Sequence, residues 1–428
     1  MRIVYYLLVA GVSGLVSFGG SWAIWKLSHR YRLYPQIRAR DVHERPTPRL
    51  GGVALFLGIV IAFAIGSLLP PLSLIFAQPQ QVFAVLGAAL LIVLIGVADD
   101  IWDLDWFTKL AGQIIAAGLL AWQGVQIGWF PIPGTLVLLS PYLSLLLTIF
   151  VIVLVMNAVN FIDGLDGLVA GVATIASGAS FFYGYLVSYG PTDQSEYFNL
   201  AQFITAALIG ACLGFLPWNW RRSDDRPARL FMGDAGALLV GLMMATSTVA
   251  LSGQYFPETR SQAIPAFIPV LLPLAVLIVP LADFTLAVLR RLRAGKSPFS
   301  ADRKHLHHRL LDMGHSHVHA VILFYAWTTV AAVGMLLFLV PGRGVVIGGV
   351  VLIVGFLVCT IVTLAPLSRR KAAEAAVQNA PADLAADAGV AEFDRLDAAA
   401  EVVEVGSQHS DAESASALER LHEKESSP

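Results

Sequence analysis

Charge is what this chain has least of. Only 14% of its 428 residues are Asp, Glu, Lys or Arg, 57% are hydrophobic, and the mean hydropathy is +0.70. Soluble domains carry about 25% charged residues, so a water-exposed globular body is excluded and much of the chain must face lipid. Cysteine is nearly absent too. Cys212 and Cys359 both lie in apolar runs and read as small hydrophobes, which leaves no disulfide framework and no thiolate metal site. The net charge of −2 averages a basic membrane portion with an acidic tail. No nucleic-acid partner is expected.

What the chain has in abundance is apolar sequence in stretches of roughly 18–22 residues, the length a helix needs to cross the hydrocarbon. They fall at about 3–25, 52–69, 82–98, 109–125, 135–156, 168–189, 201–217, 235–252, 264–289, 320–340 and 344–365. The expectation is an all-α polytopic membrane protein with about eleven transmembrane helices, its partner the lipid bilayer. The stretch 125–141, with Pro131, Pro133, Gly134 and Pro141, is the hardest to partition.

Loop charge predicts the orientation. Lys26, Arg30, Arg32, Arg38, Arg40, Arg45 and Arg49 follow the first span. Arg221, Arg222, Arg226 and Arg229 follow the seventh, and Arg290, Arg291, Arg293, Lys296, Arg303, Lys304 and Arg309 the ninth. The opposite loops hold only Arg260 and Arg343. The positive-inside rule then puts the amino terminus outside and the carboxyl terminus in the cytoplasm. Residues 1–371 form the membrane domain. Residues 372–428, rich in Ala, Glu, Asp and Ser, cannot bury enough apolar surface to fold alone and read as a disordered acidic tail.

On that topology the unusual polar residues share one face. Asp99, Asp100, Asp103 and Asp105 follow the third span, and Asn157, Asn160, Asp163 and Asp166 the fifth. Asn219 to Arg229, ending in Phe231-Met232-Gly233-Asp234, follows the seventh; His305, His307, His308 and Arg309 follow the ninth. Carboxylates at membrane depth are costly and persist where a cavity, a metal or a partner receives them. Asp99, Asp100 and Asp103 stand at helical i,i+3 and i,i+4 spacings, and like charges that close repel unless a cation or proton is shared. Magnesium suits such oxygen-only sites and is commonly shared with substrate phosphates. The structural alternative is helix capping beside the Lys109 charge. Asp166 and Asp234 are equally open to a capping role, whereas Asn160 and Asp163 sit deeper in a polar stripe. The histidine run lies among basic residues without a cysteine, so it reads as an anion clamp rather than a zinc site.

Five ordered segments carry a resemblance. Asp41-Val42-His43 to Gly51-Gly52, Asp99 to Asp103, Asn157 to Gly167, Leu230 to Gly236 and Ser297 to Arg309 resemble the motifs of the polyprenyl-phosphate N-acetylhexosamine-1-phosphate transferases. The His-Leu-His-His form at 305–308 is similar to the actinobacterial branch that uses UDP-GlcNAc and decaprenyl phosphate. The resemblance implies Mg2+, with Mn2+ as a substitute, held by Asp234 and Asn160 on the UDP-sugar pyrophosphate. It implies Asp99 and Asp100 near the lipid phosphate, with Asp99 the candidate base, and Asp163 close to nucleotide and metal. Asn219 and Phe231 match uracil contacts, and His305, His307, His308 and Arg309 match a loop gripping phosphates and sugar. Arg303, Lys109 and Asp103 join the substrate-binding candidates. Residues 221–227 read as an insertion relative to that pattern. The implied partners are UDP-GlcNAc and a polyprenyl phosphate, with a homodimer allowed, and the implied place is the plasma membrane with the site on the cytoplasmic side. A UDP-MurNAc-pentapeptide donor, or another UDP-N-acetylhexosamine, is the rival substrate. A transporter would need midplane polar residues and inverted repeats, neither of which is evident.

Overall fold

The computed structural model describes residues 2–31, 47–132, 135–187, 199–221, 227–254, 315–340 and 342–378, with isolated positions between 268 and 310. Two compact units divide the chain, Met1–Pro366 and Leu367–Pro428. Eleven helices are described: α1 (Arg2–Tyr31), α2 (Gly51–Ser67), α3 (Ser73–Phe76), α4 (Pro79–Trp102), α5 (Trp106–Trp122), α6 (Pro141–Ile162), α7 (Leu168–Val187), α8 (Leu200–Asn219), α9 (Gly233–Gln254), α10 (His317–Leu337) and α11 (Gly344–Gln378). Among the described residues, eight helices are long and apolar enough to cross a membrane. A ninth is counted if α2 and the bent turn Pro70–Phe76, at 99° to it, are one span. The protein is a multi-pass membrane protein.

The described spans depart from the expected eleven at three places. Helix α5 keeps the 17 residues of the expected span at 109–125 but begins three residues earlier, at Trp106; at 1.5 Å per residue it is about 25 Å long, at the short end of what crosses the hydrocarbon core. The expected span at 264–289 lies almost wholly outside the described residues, as do residues 379–428 of the tail. The expected helix at 135–156 begins instead at Pro141, capped by the Ser140 hydroxyl, which accepts from the Leu143 N–H. Ahead of it Trp129–Ile132 pairs antiparallel with Thr135–Leu138 (β1 and β2), so the fold is not purely helical. Pro131 withholds the N–H group a helix would need, and a short hairpin tolerates it.

Helix α9 is the hub. Of its spanning window 94% is buried, against 11% for α11, which faces outward with Ile353, Leu357 and Ile361 exposed. Helices α2, α4, α6, α7 and α8 all pack on α9. Two glycines permit the closest approaches: a Cβ on Gly52 would overlap the backbone of Gly236, and one on Gly96 the backbone of Ala235. Small residues at helix crossings are the usual means of tight packing in lipid, where hydrophobicity alone drives no association. Helices α1 and α8 follow the same rule. Ser13 and Ser17 donate to the Ala207 and Ala211 carbonyls across that crossing, at 2.7 and 2.9 Å.

Candidate active site

Four helix ends meet at the first turn of α9. The chain enters α9 through Gly233, whose φ of 72° is the left-handed conformation that favours glycine. Just before it, Phe231 and Met232 are tied to the segment that opens α2. The Phe231 N–H donates to the Pro48 carbonyl (2.9 Å), and the Gly51 and Gly52 N–H groups donate to the Phe231 and Met232 carbonyls (both 3.0 Å). This short ladder fixes where Asp234 enters the helix.

Asp100, from the last turn of α4, caps α9 from outside. Its two carboxylate oxygens accept from the Asp234 N–H (3.1 Å) and the Ala235 N–H (3.4 Å). A carboxylate there satisfies orphan donors and favours the positive end of the helix dipole. One residue earlier, Asp99 is buried (4% exposed) and accepts from the Leu104 N–H at 2.8 Å. The Lys109 ammonium of α5 lies between two carboxylates, 2.5 Å from Asp99 Oδ2 and 3.1 Å from Asp234 Oδ2. The Asn160 amide of α6 donates to the other Asp234 oxygen at 3.2 Å. Asp99, Asp100, Lys109, Asn160 and Asp234 therefore form one contiguous cluster.

Asp163 ends α6 just outside it. Burial, first, and the charges of Asp234 and Asp166 push its carboxyl up to about 8, with Arg49 pulling the other way. In the sequence Arg49 belongs to a basic segment and to the first of the five resembling segments, and neither marks it as facing these carboxylates. Asp105 has a different task. It caps α5, accepting from the Thr108 N–H and hydroxyl, and these bonds hold its exposed carboxyl below the ordinary carboxylate range. Asp103 is exposed, with φ 54° as the left-handed cap of α4, and stands at the turn between α4 and α5.

Asn219, the expected uracil contact, is held by backbone groups of the protein itself. It is buried (4% exposed), and its amide is engaged with backbone on both sides. The oxygen accepts from the Gly167 N–H (2.9 Å) and the nitrogen donates to the Leu230 carbonyl (3.1 Å). Here it braces two loops. Asp166 resolves similarly: its Oδ2 accepts from Arg221 Nε (3.0 Å) and the Ala228 N–H (3.1 Å), closing the inserted segment onto the loop after α6. Phe231 is half-buried and contributes the backbone bonds above. His305, His307, His308, Arg303 and Arg309 lie outside the described residues.

The donor set bears on a metal. Among the described residues no group of three His, Cys, Asp or Glu side chains is placed to enclose an ion. Two carboxylates and an amide at one helix end fit a hard cation that takes its remaining ligands from phosphate and water, the usual habit of magnesium.

Comparison with known proteins settles the family. The model of "Glycosyl transferase family 4" matches residues 82–252, a range that holds every member of the cluster. The decaprenyl-phosphate N-acetylglucosaminephosphotransferase of Mycolicibacterium smegmatis is 40% identical over 372 residues, covering 85% of this chain and 89% of that one. This chain belongs to glycosyl transferase family 4. The Mycobacterium leprae protein of the same name is also 40% identical, over 85% of this chain and 91% of its own. The probable undecaprenyl-phosphate N-acetylglucosaminyl 1-phosphate transferase of Bacillus subtilis is 32% identical over 67% of this chain and 72% of its own. The family 4 match ends before the histidine segment, whereas the mycobacterial likeness spans most of the chain.

Proposed function

We propose that this protein transfers GlcNAc-1-phosphate from UDP-GlcNAc to a polyprenyl phosphate, releasing UMP, at the cytoplasmic face of the plasma membrane. The observation that carries the reading is the convergence of Asp99, Lys109, Asn160 and Asp234, from four separate helices, at one membrane-helix end. It occurs in a chain 40% identical to proteins named for that transfer. The basic loops support the cytoplasmic side, those names support the acceptor and the transferred group, and UDP-GlcNAc is the donor that such a reaction implies.

In the proposed reaction an oxygen of the lipid phosphate attacks the sugar-linked phosphorus. A new phosphorus–oxygen bond forms, the bond to the bridging oxygen breaks, and UMP leaves with that electron pair. A phosphate monoester has a second pKa of ~6, so the attacking oxygen is already largely deprotonated at neutral pH. Asp99 therefore orients Lys109 and the acceptor's remaining proton more than it removes one. Lys109 brings a positive charge to the place where two phosphate-bearing substrates must approach each other. Asp100 holds the first turn of α9 so that Asp234 and Asn160 stay on the pyrophosphate side. Mg2+ held by Asp234 and Asn160 would supply charge neutralisation of the pyrophosphate and of the leaving phosphate.

The test is purified protein with polyprenyl phosphate, magnesium and a panel of UDP-sugars. Lipid-linked GlcNAc from UDP-GlcNAc is the expected product. Turnover confined to another UDP-N-acetylhexosamine or to UDP-MurNAc-pentapeptide would move the donor assignment, and no turnover with any would refute the reading. Labelled UMP should exchange into UDP-GlcNAc only when lipid phosphate is present. Exchange without it would point to an aspartyl-phosphate intermediate instead.

A further inference from the structure

The loop that follows Asp163 ends in a glycine held from every side. Gly167 has φ 83°, a conformation that disfavours any side chain. Its N–H donates to Asn219 Oδ1 at the end of α8, and its carbonyl accepts from the Tyr325 hydroxyl of α10 at 2.6 Å. The Trp220 ring covers its Cα, where an added Cβ would press on that ring. Trp220 and Tyr325 lie with ring centroids 6.3 Å apart and planes tilted by 32°. One turn into α7, a Cβ on Gly171 would fall on the Tyr325 ring, so a residue without a side chain makes room for the tyrosine.

We propose that Tyr325 is a positioning residue. Through the Gly167 carbonyl it locks the loop between Asn160 and Leu168, and so sets where Asp163 and Asn160 stand relative to Asp234. The proposal deepens the transfer reading and rests on it for its kinetic arm. The geometry is that of a clamp with two jaws. Asn219 grips one peptide group of Gly167 and Tyr325 the next, from helices separated by more than a hundred residues of sequence. Removing one jaw leaves the peptide chain free to rotate about a residue whose φ, as glycine, has few steric limits. Asp163 is four residues upstream, within the same turn. Small displacements of positioning groups are strongly felt, since a shift of about 1 Å at a reacting centre can cost a hundredfold in rate.

The experiment is Tyr325→Phe in the full-length protein, which deletes one hydroxyl and keeps the ring. Two readouts are taken. Hydrogen exchange of the peptide spanning 163–168 should quicken by about tenfold, with α9 unchanged, because one stabilising bond is gone. With UDP-GlcNAc and polyprenyl phosphate, kcat should fall by about ten- to a hundredfold with the acceptor KM within about twofold of wild type. Gly171→Ala, which forces the ring away, should lower kcat similarly in the wild-type background and add nothing to Tyr325→Ala. Unchanged exchange and unchanged kcat in Tyr325→Phe would overturn the proposal. So would additive losses in the Gly171 and Tyr325 pair, which would mark general packing damage. If wild type transfers no GlcNAc-1-phosphate, the functional reading fails, and the exchange measurement still decides whether the clamp exists.

Discussion

Replacing Lys109 with methionine tests the electrostatic arrangement of the site most directly. In the native protein one ammonium stands between Asp99 and Asp234, and the three side chains are 26%, 6% and 33% exposed. Methionine keeps the length and apolar stem but leaves two carboxylates facing each other. Breaking a buried ion pair by removing one partner costs ~3–5 kcal/mol. The partial exposure of Lys109 and Asp234 lets water screen part of this, so a loss of about 2–3 kcal/mol is expected. Denaturant titration of the purified protein, followed by tryptophan fluorescence, measures it. The second arm is Asp99→Asn in the Lys109→Met background. It removes one of the opposed charges and should restore most of the stability while transfer stays absent. The third arm is magnesium. A divalent cation can occupy the charge-depleted space, so magnesium should stabilise Lys109→Met more than wild type, and chelation should abolish the difference. Wild-type stability in Lys109→Met, or a double variant no more stable than the single, would refute the claim that the ammonium neutralises both carboxylates.

Asp234→Ala should abolish transfer while the protein stays folded in detergent, since it removes a carboxylate at the helix end but leaves the Asp100 bonds to the backbone of α9; turnover near wild type at ordinary magnesium would count against its role. Asp163→Asn should stabilise the metal-free protein, and the gain has a defined sign with pH. The folded carboxyl titrates near 8 and the unfolded one near ~4. Wild-type stability therefore falls as pH rises between those values, the advantage of asparagine grows across that window, and it levels off above it; a pH-independent difference in unfolding would contradict the raised carboxyl of Asp163. Gly96→Ala should lower stability by about 1–3 kcal/mol, because the new methyl meets the Ala235 backbone where α4 and α9 touch; unchanged stability in denaturant titration would show that this crossing can relax.

The carboxylates and amides were legible in the sequence because an apolar chain makes them conspicuous. Asp99, Asn160 and Asp234 stand at the ends of hydrophobic runs, where only a few spacings are open, and the fold brings them together. The hairpin was visible only as a stretch at 125–141 that was hard to partition: Pro131 and Pro133 interrupt helix chemistry there, but they do not say that Trp129–Ile132 pairs with Thr135–Leu138. Helix α5 was read as a span at 109–125 from its hydrophobicity, which does not record that Asp105 caps it three residues earlier, so that it runs from Trp106 to Trp122.

Roles that depend on where a backbone group lies could not be read in the same way. Asn219 is a polar residue at a helix end, and sequence offers no means to choose between a ligand and a peptide group as its partner. That choice is made by Gly167, 52 residues away, whose N–H is buried and must be paired. Tyr325 is harder still, since it lies within an apolar span and its one hydroxyl is invisible to hydropathy. Both hydrogen-bond the backbone of one glycine, Gly167. The active site thus has two layers with different sequence signatures. The charged groups to which the proposed transfer assigns the substrates announce themselves by their cost in lipid. The groups that hold them still are ordinary amides and hydroxyls, known only by the carbonyl or N–H they reach. Substitutions in the first layer should change which ions and phosphates bind. Those in the second should leave binding nearly intact and slow the chemical step, because what they set is the distance between groups already present.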